Sequence, residues 1–431
     1  MFQQPSSASW QKEHLVRWRW QRAAALALGL ALLVSACGIS TSGGGGTTST
    51  PTPKPTATAT PAPCTTWRII PSPNSTQYPE SGLGAVSALS ATRAWAVGSS
   101  IYNDGGPVTS LIEQWDGSAW RVVPSPGNDV LSGVAAITPN DVWAVGSLSS
   151  HQPRPTTLIE HWNGSQWSLV NSPNPGPLSD TLNAVAAVAA NDVWAVGESV
   201  TGNNATQPLI ERWDGSAWRV VSSPAPAGAT AGHFNAIARI AGTSQLWAVG
   251  SVRIGPPPAG MLGYFQPLIE RWDGSTWQIA ASPSLPSGSL AGSLNGVIAL
   301  SASDAWAVGD YTTSAHKLRA LIAHWDGSAW KVVTGPDAVG SLPVVSLGSV
   351  AAANAHDVRA VGHTYTADSQ YVPLIAQWNG TAWRAVTSLA PSGAAGSSLG
   401  GIATDSVGNF WAVGSWKGAD HRGKTLTLHC P

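Results

Sequence analysis

Charge is what this sequence has least of: Asp, Glu, Lys and Arg make up 10% of its 431 residues, where roughly 25% is usual. Polar uncharged residues must therefore carry solubility. Five of the 22 basic residues and one of the 23 acids precede residue 64, which leaves 17 against 22 in the remainder. A mildly acidic balance with no basic run argues against a nucleic acid or an anionic membrane surface as partner. Cysteine is scarce too, with three in the chain, too few for a disulfide-dense scaffold or a cysteine-based metal cluster. Long apolar runs are missing as well. The longest, Ala23 to Val34, is too short to span a bilayer comfortably and, behind Lys12, Arg17, Arg19 and Arg22, reads as an export signal.

The start of the chain divides in two. Val34-Ser35-Ala36-Cys37 resembles the lipobox of bacterial lipoproteins. That resemblance implies cleavage before Cys37, which becomes a lipidated N-terminus. An ordinary signal peptide with an incidental cysteine is the alternative. Residues 38–63 are nearly all Gly, Ser, Thr, Pro and Ala, without the apolar periodicity of a packed core, and read as a disordered tether. The expected organisation is a signal over 1–37, a tether over 38–63 and one domain over 64–431.

What the domain has in abundance is repetition. LIEQWDGSAW (111–120) returns near-identically at 158, 209, 268, 321 and 374, and a second motif, AWAVGS at 94–99, occurs seven times at intervals of 48 to 59 residues. The first is a hairpin, an extended run broken by Asp-Gly or Asn-Gly and resumed by Trp. The second has two apolar or small faces and must lie between sheets. With a further short strand ahead of it, each unit holds four strands. Seven four-stranded antiparallel sheets packed around an axis make a seven-bladed β-propeller.

The ends imply how the ring closes. Trp67-Arg68-Ile69-Ile70-Pro71 matches the outer strand that begins at Trp120, while the last repeat stops at Leu426-Thr427-Leu428-His429-Cys430. An N-terminal outer strand therefore completes the last blade. Cys64 and Cys430 fall two slots apart in the aligned hairpin, within disulfide reach. A bridge between them would close a long loop, contributing roughly 5–6 kcal/mol on the chain-entropy model.

The order of strands, the glycine closing each WAVG, the aromatic before the turn (Trp115 and its repeats) and Trp120 with its repeats resemble kelch repeats, the propellers that include the central domain of galactose oxidase. The family's paired glycine is Val-Gly here (Val97-Gly98, Val145-Gly146).

Function is expected where the loops are long. Connections after WAVG share one face of the disc with the connections between blades, and the longest is in the fourth blade, from Ser251 to Pro267. All six tyrosines (Tyr78, Tyr102, Tyr264, Tyr311, Tyr365 and Tyr371) and Trp416 lie in these connections. They are the candidate binding residues, because such rings suit sugars or protein surfaces. Glu113, Glu160, Glu211 and Glu270 repeat identically and read as cross-strand partners of groups such as Arg121 and Arg219. Asp141, Asp192, Asp304 and Asp357 read as turn formers. His151, His233, His316, His363 and His421 scatter over the long-loop side without a convergent ligand set, and no metal, cofactor or catalytic residue is assigned. The reading is a monomeric, lipid-anchored extracellular module that binds carbohydrate or protein. The alternatives are an exported hydrolase or oxidase at the mouth of the central channel and a passive envelope scaffold.

Overall fold

The computed structural model describes residues 64–431 except 65, 77, 103–105, 149–153, 204, 256–263, 337, 340–341 and 387–388. The signal and tether, Cys37 included, lie outside the described residues. Seven four-stranded antiparallel sheets form the blades of a propeller, and the described residues contain no helix. Blade 1 consists of Glu80–Ser90, Arg93–Ile101, Val108–Trp115 and Trp120–Val122, from the axis outward. Blades 2 to 6 repeat this order over 130–169, 179–220, 229–279, 289–332 and 346–386. Blade 7 takes three strands from 396–430 and its outer strand, Arg68–Ile70, from the other end of the domain, with Ile69 opposite Leu428.

The repeated hairpin closes in a four-residue loop. Trp115 pairs with Trp120, and Asp116 Oδ1 accepts hydrogen bonds from the backbone N–H groups of Ser118 and Ala119, both at 2.9 Å. Gly117 sits at φ +97°, a conformation that glycine adopts without steric cost. The Ser118 hydroxyl, donating at 2.6 Å, the Arg121 guanidinium, 2.5 Å away, and those backbone bonds hold the exposed Asp116 carboxyl well below the usual carboxylate range.

Blades meet through tryptophan. The Trp of each second strand inserts between the two hairpin Trp of the next blade: Trp95 lies 5.0 Å from Trp162 and 5.3 Å from Trp167, and Trp411 lies 4.9 Å from Trp115 and 5.1 Å from Trp120. Six of the seven interfaces are built this way, each combining a tilted and a T-shaped contact. Such pairs contribute about 0.5–1.5 kcal/mol beyond the area they bury.

The seventh interface, from blade 6 to blade 7, has Arg359 in the tryptophan slot. Its partner hairpin is the split one, where Cys64 and Cys430 are joined as a disulfide with Cα atoms 5.6 Å apart. Arg359, 1% exposed, lies over Phe410 at 4.3 Å and Trp67 at 5.6 Å, donates to the Cys64 carbonyl at 2.7 Å, and pairs with buried Asp357 at 2.8 Å. The arginine and the disulfide are thus one substitution, with the guanidinium filling the space that the missing indoles leave.

Around the axis, each innermost strand carries a β-bulge. In blades 3, 4 and 5 the bulged residue is Asn, and its Nδ2 donates to the next blade: Asn183 to Phe234 O at 2.7 Å, Asn235 to Leu294 O at 2.9 Å, Asn295 to Leu347 O at 3.1 Å. In blades 6, 7 and 1 it is Gly348, Gly400 and Gly84. There the backbones approach directly, and a Cβ on Gly400 would sit 3.1 Å from Gly84 O.

Two side-chain assignments need correction. The repeated glutamates do not pair with Arg121 or Arg219, which bind Asp116 and Asp214. Glu113, Glu160, Glu211 and Glu270 are fully buried. Ser72, Ser125 and Ser223, from the connection that leads in from the preceding blade, donate to Glu113, Glu160 and Glu270 at 2.7–2.9 Å. Ser172 occupies the same slot beside Glu211 and also bonds Thr157 Oγ1 at 2.5 Å. Burial pushes Glu113 and Glu211 up to about 8, and Glu160 and Glu270 up to about 7. The repeated aspartates, likewise, do more than form turns. Asp141 and Asp304 accept from His161 and His324 at 2.8 Å, and Asp192 from Arg212 at 2.7 Å and from the Trp194 indole at 2.8 Å.

Two outcomes follow from these contacts. The glutamates hold their protons in the fold up to pH 7–8 and release them near 4.5 when unfolded, so their stabilising contribution is complete below pH 4.5 and is lost as pH rises through 7–8. The thermal midpoint should fall between pH 5 and 8, and a variant with all four changed to Gln should show a flatter profile over that window. Replacing Arg359 by Leu strands the Asp357 charge and should cost about 3–5 kcal/mol in chemical denaturation, much of it recovered by adding Asp357→Leu.

Candidate functional site

In each blade the first-to-second connection, and in blades 1 to 6 the third-to-fourth turn, lies on one face of the disc. The second-to-third loops and the links between blades share the other. The hairpin turns of blades 1 to 6 are alike: the Oδ1 atoms of Asp116, Asn163, Asp214, Asp273, Asp326 and Asn379 each accept the same pair of backbone bonds. The first-to-second turns beside them are short except in blades 4 and 7. The loop face is where the blades differ.

One set of differences was overlooked in the sequence. The residue after each WAVG is Ser99, Ser147, Glu198, Ser251, Asp310, His363 and Ser415 in turn. This letter changes between hydroxyl, carboxylate and imidazole, whereas the rest of the motif, Arg359 aside, stays apolar or small. These residues lie just below the loop face, where second strands pair with the starts of innermost strands. Asp310 accepts from Asn295 Nδ2 at 2.9 Å and from Ser346 Oγ of blade 6 at 3.0 Å, and burial raises its pKa. His363 is buried beneath two tyrosines, and burial pushes its pKa down to about 4, so it stands neutral at physiological pH.

Glu198, His233 and Ser251 form a linear contact between blades 3 and 4. Ser251 Oγ is 3.1 Å from His233 Nε2, and His233 Nδ1 is 3.9 Å from Glu198 Oε2. The order is that of a nucleophile, a base and an orienting acid. Burial decides against that role in this conformation, because Ser251 is 1% exposed and a substrate carbonyl does not reach its Oγ. The trio fastens two blades together. The other histidines stand apart: His316 and His421 occupy loop positions with φ of 55° and 57° in blades 5 and 7, and His151 lies outside the described residues. Among the described residues no three His, Cys, Asp or Glu side chains converge on a point that could hold a metal ion.

The seven candidate aromatic residues all fall on the loop face, and the structure gathers some of them. Tyr78, in the link entering blade 1, makes a T-shaped contact with Tyr102 of that blade's loop at 6.4 Å. In blade 6, Tyr365 and Tyr371 are cross-strand partners with ring centroids 4.8 Å apart, and both cover His363, whose Nε2 is 3.2 Å from the Tyr365 hydroxyl. Trp416 ends the second strand of blade 7, with Lys424 Nζ 5.0 Å from its ring. Tyr264 and Tyr311 belong to blades 4 and 5; Tyr311 is half-buried and packs on the apolar core. Periodicity could show that these rings share a face. It could not show which of them are neighbours.

Compared with protein-family models and with curated proteins, the sequence matches none. Among solved structures, YCF48 bound to a D1 peptide aligns over 84% of this chain and 96% of its own, with a TM-score of 0.50 and 14% identity. A protein of unknown function from Dyadobacter fermentans aligns over 85% and 98%, with a TM-score of 0.46 and 8% identity. The sialidase of Trypanosoma rangeli aligns over 84% of this chain and 57% of its own, with a TM-score of 0.43 and 10% identity. At 14% identity the likeness to YCF48 is one of fold alone, that of the β-propeller.

Proposed function

We propose that this chain is a lipid-anchored extracellular β-propeller of kelch-like repeat order, acting as a binding module for carbohydrate or protein through its loop face. One observation carries the reading: the connections on that face differ in length and residue type from blade to blade, whereas the hairpin turns on the opposite face repeat the same cap in six blades. YCF48, which shares the fold, is described with a bound peptide, which supports the propeller as a platform for such a ligand.

The anchor supports the same orientation. Cys64 occupies the turn position of the split hairpin, so a tether ending at residue 63 joins the disc on its turn face. With Cys37 lipidated, the membrane lies on that side and the loop face points outward. The alternative, an exported hydrolase or oxidase acting at the mouth of the central channel, has one Ser-His-Glu trio among the described residues, and its serine is enclosed.

Metabolic labelling with palmitate, in the native chain and in Cys37→Ala, tests the anchor. Incorporation lost in the variant, together with release of the protein from the membrane fraction, is the expected result. Equal labelling of both, or none in either, would overturn the lipid attachment. For the binding face, the purified chain should take up glycan or protein saturably, and the Tyr102, Tyr264, Tyr311 and Tyr365 to Ala variant should lose that binding while still unfolding cooperatively, at a midpoint lowered by the lost packing of Tyr311.

A further inference from the structure

Besides filling a tryptophan slot, Arg359 turns a hydrogen-bond donor toward the bridge itself. Its Nε and Nη2 donate to Asp357 at 2.8 and 3.0 Å, and Nη2 also to the Cys64 carbonyl at 2.7 Å. Among the described residues, the partners of Nη1 are the two sulfurs: Cys64 Sγ at 3.2 Å and Cys430 Sγ at 3.6 Å. A sulfur within a disulfide is a weak acceptor, whereas a thiolate carries a full charge and accepts strongly from a guanidinium. Arg359 is 1% exposed, so water does little to weaken such a charge interaction. The open bridge therefore offers Nη1 a better partner than the closed one does.

The hold on the guanidinium does not pass through sulfur, so it outlasts the bond. Asp357 grips two of its nitrogens and is itself bonded by Gln377 Nε2 at 3.1 Å, while Phe410 lies 4.3 Å and Trp67 5.6 Å from the guanidinium carbon. Cys430 is fixed by its ladder partner, Phe410. Asp357 occupies the Nε–Nη2 edge of the planar fork, which leaves Nη1 on the opposite side for the sulfurs. The neighbouring titratable side chain, His429, turns to the other face of its strand and stacks on Trp411 at 4.1 Å, where Arg68 and Asp405 act on it. The two sulfurs are not equivalent. Cys64 is the nearer to Nη1, and its own carbonyl is held by the same guanidinium.

We infer that Arg359 is a positioning residue for thiol–disulfide exchange at the ring-closing bridge, and that it holds Cys64 as the thiolate through which the bridge opens and closes. In opening, the thiolate of an external dithiol attacks Cys430 Sγ, and the electron pair of the broken S–S bond leaves with Cys64 beside Nη1. The second thiol of the dithiol then displaces Cys430, which takes up a proton. Two electrons pass to the bridge, and the dithiol departs as a cyclic disulfide. Closing runs in reverse, with an external disulfide as oxidant and the Cys64 thiolate as attacking group. A lower pKa at the departing thiol speeds its departure, so the arginine that packs the seam also makes the bridge exchangeable.

Reduction of the oxidised full chain by dithiothreitol at pH 7, with Cys64 and Cys430 mapped by alkylation, tests this beside the Arg359→Leu/Asp357→Leu variant, which removes both charges together. If that pair lacks a cooperative thermal transition, Arg359→Gln/Asp357→Asn takes its place. The native bridge should be reduced about threefold faster than that of the uncharged pair, with Arg359→Lys in between. An arginine that only packs the seam gives the opposite sign, because its loss loosens the interface and exposes the bridge. Equal or slower reduction of the native bridge would therefore overturn the proposal. The thiolate is read directly in Cys37→Ala/Cys430→Ser, where Cys64 is the sole cysteine, by NMR titration of its labelled β-carbon. A midpoint at or below ~7.5, against ~8.5 for a free cysteine, is expected, rising when Arg359 and Asp357 are both replaced. A midpoint at or above ~8.5 with Arg359 in place, or one that the double replacement leaves unmoved, would count equally against it.

Discussion

The packing of one indole between two others, repeated from blade to blade, is the contact on which the rest of this molecule depends. A four-stranded sheet with two apolar faces cannot stand alone in water, and a stack of such sheets must either end in polar caps or close on itself. The second-strand Trp fixes both the spacing of adjacent blades and their rotation, since it must reach Trp162 and Trp167, or their counterparts, at about 5 Å. Beyond that, the turns need only be short. The side chain opposite each indole can vary among Gln114, His161, Arg212, Arg271, His324, Gln377 and His429, all presenting a planar group to the indole or to the arginine that replaces it.

At the seam the same need is met by different chemistry. With the hairpin cut, the backbone no longer links the third and fourth strands of blade 7, and the disulfide restores the covalent connection at the place of the turn. Arginine suits the altered slot because its planar guanidinium stacks as an indole does while bonding the buried Cys64 carbonyl. Its charge is tolerable in a dry interface because Asp357 lies beside it.

Most of the fold was legible in the sequence, since periodicity and repeat spacing determine strand number, strand order and the manner of closure. The glutamates were misjudged for a definite reason. Sequence alignment within a hairpin suggests partners on the neighbouring strand, but Ser72 reaches Glu113 from 41 residues away, across a blade boundary. Such pairs arise from the curvature of the ring, which no local pattern encodes. Arg359 was equally opaque alone and became intelligible only beside Cys64 and Cys430. Which connections share a face was legible, because topology sorts loops to one side. Which aromatic residues are neighbours there depends on contacts between separate segments, as where Tyr78 meets Tyr102 and Tyr365 meets Tyr371.

The split hairpin also places a temporal order on the molecule. Residues 68–70 must wait, with one edge unpaired, until residues 427–429 arrive to meet them, a separation of more than 350 positions. Six blades can zip up in succession through neighbouring contacts, yet the circle stays open until that encounter, and loop closure over so great a distance is slow for a mostly local fold. The last blade to assemble also bears Trp416 and Lys424 on its loop side. The surface formed there is complete only when the whole ring is.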